Sequence, residues 1–199
     1  MLCIHEEGPD LSGPAVRRIT GLTLVESRII PMTNAANGQD KHPSRKHPHR
    51  LSGEAYHERH VPMLVTIRTR DGLPFLLGRG IPDKLTATLV ASAEAHGCAV
   101  IAYCIMPEHV HFLACVSERG GDLLNFIRRF KSQVTRDLRE LGVPAPVWQR
   151  SFHDKTARTD AALATMVEYV LANASAAGLC GESEEWPWAA FHGYPWDEA

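Results

Sequence analysis

Residues 98–116 read CAVIAYCIMPEHVHFLACV. The runs CAVIAYCI and HVHFLACV are apolar, strand-length segments, and a short Met-Pro-Glu connection separates them. Two such runs joined so tightly predict an antiparallel hairpin in the middle of a sheet. Within the second run, His109 and His111 stand at i and i+2. A strand projects those two positions to one face and Val110 to the other. Imidazoles are costly in an apolar strand unless they have a partner. The pair reads either as two unrelated strand histidines or as two ligands that share one divalent cation.

Upstream, PMLVTIRT at 62–69 is β-branched and apolar and predicts a strand beside the hairpin. Pro82-Asp83 opens a predicted helix with Asp83 as its cap, Leu85, Leu89 and Ala93 as its buried stripe, and Gly97 as its stop. Downstream, residues 121–141 carry Phe126, Phe130, Val134 and Leu138 at helical spacing. Gly142, Pro144 and Pro146 end that helix, VWQRSFHDKTARTD reads as a loop, and Asp160 caps a third helix over 161–177. The order β-α-β-β-α-loop-α fits an α+β class, a ferredoxin-like sandwich with helices on one face of an antiparallel sheet. Ordered structure is expected from about His60. Residues 1–59 are weakly patterned, with strand-like apolar content only at 19–32 and a basic linker rich in Asn, Gly, Pro, Lys and His at 33–53. That linker reads either as a phosphate-contacting arm or as a solvated tail. The domain reading is therefore an extension over 1–59, one domain over 60–192 and an acidic tail over 193–199.

The chain has 199 residues, of which 44% are apolar and 22% charged, which fits a soluble globular domain. No apolar run is long enough to span a membrane, and no secretory signal pattern opens the chain. The five cysteines are odd in number and form no C-x-x-C, which argues against a disulfide framework and for a reducing cytoplasm. Net charge is −2, but it is segregated. Residues 119–158 hold nine Lys/Arg against four acids, and residues 180–199 hold five acids with no Lys or Arg. A face that attracts anions is hidden behind a near-neutral total.

Tyr169 and Asn173 sit one turn apart on the third helix and share a face. Tyr169 offers a hydroxyl that becomes a strong nucleophile once deprotonated. Asn173 offers an amide oxygen suited to a hard cation. Trp148-Gln149-Arg150 reads in two ways. The indole either anchors its loop to the core or stacks on a base, with Gln149 and Arg150 reaching a base edge or phosphate. Arg128, Arg129, Lys131, Arg150 and Arg158 are candidate DNA contacts, and a merely solvated basic face is the alternative.

Taken together, these motifs resemble the REP-associated tyrosine transposases, of the single-tyrosine HUH transposase class found in bacterial insertion sequences. The resemblance rests on residues 106–111 (MPEHVH), 148–154 (WQRSFHD), Glu168-Tyr169-Val170 with Asn173, Ala177-Gly178-Leu179, Trp186-Pro187-Trp188 and the strand Val65-Thr66-Ile67-Arg68. It covers about two-thirds of the chain. One departure is Asn173-Ala174, where the family usually has Asn-Pro, and the first 55 or so residues have no counterpart. The resemblance implies a DNA transposase that cleaves and rejoins single-stranded or hairpin DNA through a 5′-phosphotyrosine. It makes Tyr169 the nucleophile and His109, His111 and Asn173 the ligands of Mg²⁺ or Mn²⁺. It leaves monomer and homodimer both open. Two rival readings are a catalytically silent nucleic-acid-binding protein of the same fold, and a metal hydrolase that adds Glu108 or Asp154 to the histidines.

Overall fold

A computed structural model describes residues 51–182 and 184–195. The sequence readings for residues 1–50 and 196–199 lie outside the described residues. Five strands form one sheet: β1 (Met63–Arg68), β2 (Cys98–Ile105), β3 (His109–Val116), β4 (His153–Thr156) and β5 (Ala189–Phe191). Their spatial order is β4-β1-β3-β2-β5, with every neighbouring pair antiparallel. Helices α1 (Ile81–Glu94) and α2 (Leu123–Glu140) join these strands as β1-α1-β2-β3-α2-β4, the split-βαβ arrangement. Helix α3 (Asp160–Leu171) and the short α4 (Asn173–Ala176) follow.

The expected ferredoxin-like α+β sandwich is present, but its helices cover both faces of the sheet. One core packs α1 and α2 against Met63, Val65, Ile67 and Phe112. The other packs α3 against Ile101, Leu113 and Cys115. The reason lies in the hairpin itself, since every residue of β3 is buried. A strand apolar on both sides needs cover on both sides.

Helix α2 is the most strongly amphipathic element. Phe126, Ile127, Phe130, Val134 and Leu138 are buried, and Asp122 caps its start by accepting the Asn125 N–H at 2.9 Å. Each fully buried side chain of that stripe contributes about 1.5–3 kcal/mol. Gly97 (φ 64°) and Gly121 allow the α1–β2 and β3–α2 turns to cross, for a Cβ at either would lie within 2.3 Å of the other turn's backbone.

Four boundaries differ from the sequence reading. Helix α1 starts at Ile81 with Gly80 as its N-cap, so Asp83 lies inside its first turn. Thr159, not Asp160, caps α3, its hydroxyl accepting the Ala162 N–H. Helix α3 stops at Leu171, and Asn173 opens α4. Order also begins before His60, because Gly53–Tyr56 forms a 3-10 turn that buries the Tyr56 ring against Phe152. The segment expected to be one loop contains β4, which pairs with β1.

Candidate active site

The paired registers place the site on the α3 face of the sheet. His153 of β4, Thr66 of β1 and His111 of β3 are successive cross-strand partners, and Arg68 lies opposite His109. Partners in register project to one face, so all five side chains line one cleft. Tyr169 and Asn173 descend into it from α3 and α4, and its volume is about 330 Å³. The turn leading into β3 is held rigidly. The Thr69 N–H and hydroxyl both donate to the Glu108 carbonyl, at 2.9 and 3.0 Å, and the Leu76 N–H donates to the Pro107 carbonyl. The Trp186 indole donates to the Ile105 carbonyl at 2.9 Å, so the Trp-Pro-Trp motif braces the strand just before the histidines.

The histidines are nearly buried, His109 8% and His111 4% exposed. Their Nε2 atoms face each other at 2.9 Å. Glu108 Oε1 lies 2.8 Å from His109 Nδ1, and Thr66 Oγ1 lies 2.8 Å from His111 Nδ1. A carboxylate can only accept, so Nδ1–H of His109 donates to Glu108, and its Nε2 lone pair faces His111 Nε2, which without metal donates to it. The Thr66 hydroxyl can accept as readily as donate. One tautomer therefore gives His111 a second lone pair aimed at the same point. Burial lowers the pKa of His109 despite the opposing pull of Glu108. Burial, with help from His109 and Arg68, pushes His111 down to about 3. Both rings are neutral near pH 7, the form that binds metal.

This donor set suits a small divalent cation. Two imidazole nitrogens 2.9 Å apart match adjacent positions around an ion with bonds of roughly 2.0–2.1 Å. Asn173 lines the same cleft and is near enough to His109 to favour its protonated form. Among the described residues no group of three His, Cys, Asp or Glu could hold a metal. The Asn173 amide is a further protein oxygen lining the cleft beside the two histidines. Among the described residues neither acid of the hydrolase alternative joins the two histidines as a third metal ligand. Asp154 pairs with Val65, projects to the opposite face and receives the Tyr56 hydroxyl, while Glu108 is engaged behind His109.

The Tyr169 ring meets His111 edge to face at 5.3 Å and is half exposed. Such exposure in a large aromatic, beside two buried histidines, leaves its hydroxyl reachable by a substrate. Arg68, Thr66 and His153 were not singled out from sequence as site residues. The available signal was alternation, since Thr66 and Arg68 are the polar i, i+2 pair of an otherwise apolar strand. The thiols of Cys98 and Cys104 are pushed up by burial to about 12, and that of Cys115 to about 11, as befits core residues.

The basic candidates lie elsewhere. Arg128, Lys131, Trp148, Gln149 and Arg150 share a groove beside α2, on the other side of the sheet, while Arg129 and Arg158 lie outside it. Trp148 is only 8% exposed, packs on Phe130 and donates its indole N–H to the Lys131 carbonyl. It is an anchor for its loop, with its broad face committed to the core. Lys131 donates to the Gln149 and Ser151 carbonyls, at 2.8 and 3.4 Å. Arg158 pairs with Glu58 at 3.6 Å.

A first expected outcome concerns pH. Without metal, the folded protein refuses protons at His111 that the unfolded chain accepts below about pH 6.5. Stability should therefore fall as pH drops from about 6.5 towards 3, by up to about 1.4 kcal/mol per pH unit for that residue. Urea unfolding of wild type and His111→Gln across this range isolates the effect. Parallel pH dependences would show that His111 titrates normally in the folded state.

A ferredoxin-like sheet with two strand histidines under a helix-borne tyrosine is the arrangement that the sequence resemblance implies. Comparison with known proteins agrees: the family model for IS200-like transposases matches residues 59–173, and the chain belongs to that family. A Haemophilus influenzae protein described as a REP-associated tyrosine transposase is 28% identical over 111 residues. That alignment covers 51% of this chain and 63% of the relative, so the chain spans less than two-thirds of the relative's length. Among solved structures, a REP-associated tyrosine transposase bound to a REP hairpin superposes with a TM-score of 0.60 at 20% identity. The match covers 73% of this chain and 82% of that one, and it supports the fold. Among the described residues no helix is long and apolar enough to cross a membrane.

Proposed function

We propose that the chain cleaves and rejoins single-stranded DNA next to a hairpin, through a covalent 5′-phosphotyrosine at Tyr169. The observation that supports this most is the edge contact between the exposed Tyr169 ring and His111, in the same cleft as His109 and Asn173. The structural neighbour bound to a hairpin makes hairpin DNA the natural partner to test. His109, His111 and Asn173 would hold Mg²⁺ or Mn²⁺, which when bound neutralises charge on the nonbridging phosphate oxygens and favours the ionised phenol.

In this reading the Tyr169 oxygen loses its proton and attacks the phosphorus. The bond from phosphorus to the 3′-oxygen breaks, and that oxygen takes up a proton to leave as a 3′-hydroxyl. The new phosphotyrosine is again a diester, so a second 3′-hydroxyl can reverse the step without ATP. Glu108 keeps Nδ1–H on His109, and Thr66 fixes the ring of His111. The test is incubation of radiolabelled hairpins with randomised single-stranded flanks and Mn²⁺, followed by a denaturing gel. A protein-linked label is expected, and DNA binding with no such label would leave a binding protein of the same fold.

The salt dependence of binding offers a further check. Each phosphate met by a Lys or Arg adds about −0.7 to the log–log slope for a single strand. Reversing the charge of exposed Arg128 and Arg129 together should flatten the slope by about 1.4. An unchanged slope, measured by fluorescence anisotropy, would place the phosphate contacts on another surface.

A further inference from the structure

The groove beside α2 has a chemistry that the cleavage site does not use. Its volume is about 470 Å³. Leu124, Pro146 and the edge of Trp148 give it apolar walls, and Arg128, Lys131 and Arg150 give it a cationic rim. Arg128 and Arg150 are exposed on that rim. Lys131 reaches across to the Gln149 and Ser151 carbonyls and fixes the loop against the helix, so the groove is preformed. Apolar walls under a positive rim complement a nucleotide, which presents a flat apolar base on an anionic backbone.

Topology connects this groove to the cleft. Residues 147–149 run beside the end of β1, with the Arg70 N–H donating to the Val147 carbonyl and the Gln149 N–H to the Arg68 carbonyl. The same chain segment then leads into β4: Phe152, just before it, packs in the core on the α2 side, and His153, its first residue, lines the cleft on the α3 side. Arg150 and His153 are three residues apart, roughly 10 Å along an extended chain. This segment is the rim of the sheet, and a strand of DNA leaving the cleft can pass over it into the groove.

We infer that this groove seats one unpaired base of the single strand, a few nucleotides from the scissile phosphate, with Arg128 and Arg150 on the adjoining phosphates. The inference rests on the DNA-processing reading but concerns a different surface, so the two fail separately. The probes are dT₁₂ and a twelve-unit deoxyribose-phosphate strand that lacks bases, which carry equal charge. Wild-type protein should bind dT₁₂ about tenfold more tightly, the scale of burying part of one base against these apolar walls. Ser132 and Thr135 also line the groove. The double variant Ser132→Met, Thr135→Met fills it with no new charge or aromatic ring and should bind both strands equally. Ser132→Ala, Thr135→Ala leaves it open and should keep the tenfold ratio. Equal binding of both probes by wild type, or a ratio that survives in the filled variant, overturns the inference. Neither result touches the phosphotyrosine, which the denaturing gel reads through Tyr169.

Discussion

Tyr169→Phe is expected to abolish the covalent protein–DNA adduct and to leave DNA affinity unchanged. The substitution removes one oxygen and keeps the ring that meets His111 at 5.3 Å. The hydroxyl contributes nothing to the core, because the residue is half exposed. Loss of a nucleophile costs at least about 10⁴-fold in rate. The other described tyrosines are poorly placed. Tyr56 is 2% exposed with its hydroxyl on Asp154, Tyr103 is 7% exposed and stacks near His192, and Tyr194 rests on Phe191. Mass spectrometry of the trapped adduct should find the 5′-phosphate on the peptide that contains Tyr169. An adduct formed by Tyr169→Phe at wild-type rate would assign the nucleophile to another residue.

The central fold was legible because its elements carry their own periodicity. Helix α2 shows its buried stripe at Phe126, Phe130, Val134 and Leu138, and the hairpin of β2 and β3 shows two apolar runs about a tight turn. The number of layers was harder to read. Continuous apolar runs mark β2 and β3 as central strands but do not say which helix covers which face, and α3 takes the face opposite α1 and α2. Strands β4 and β5 carry no local signal. HDKT is polar and AAF is three residues long, so pairing with β1 and β2 decides their conformation. The buried position of Tyr56 was similarly invisible, because its partners Phe152 and Asp154 lie about a hundred residues away.

The site divides along the same line. Spacing pairs His109 with His111 and Tyr169 with Asn173, the resemblance singles the four out, and the structure lines one cleft with them. Arg68, Thr66 and His153 belong there through strand register alone, and register is a property of the sheet. Trp148 reads from sequence either as a loop anchor or as a base platform, and contacts distant in sequence decide for the anchor: Phe130 and the Lys131 carbonyl claim the indole. The family's usual proline after Asn173 is absent, yet α3 still ends before that residue. The break that presents the asparagine to His109 therefore does not require it.

Replacing either histidine tests the rest of the proposed centre. His109→Ala and His111→Ala should each reduce adduct formation by at least about 10³-fold, because one imidazole and an amide hold a divalent cation poorly. Excess chelator should do the same to the wild-type protein, and added Mn²⁺ should restore it. Folding should survive in both variants. Each ring is a buried polar group whose removal also removes its own desolvation cost. The partners left behind differ, and so should the side effects. His109→Ala frees Glu108, which keeps Arg68 within 3.8 Å as a counter-charge, whereas His111→Ala leaves the Thr66 hydroxyl to solvent entering the cleft. A binding assay on wild-type protein separates chemistry from affinity: the chelator should stop cleavage while DNA remains bound through the basic groove. Cleavage that persists in both alanine variants, or in excess chelator, would remove the cation from the mechanism and leave Arg68, among the described residues, as the fixed positive charge lining the cleft.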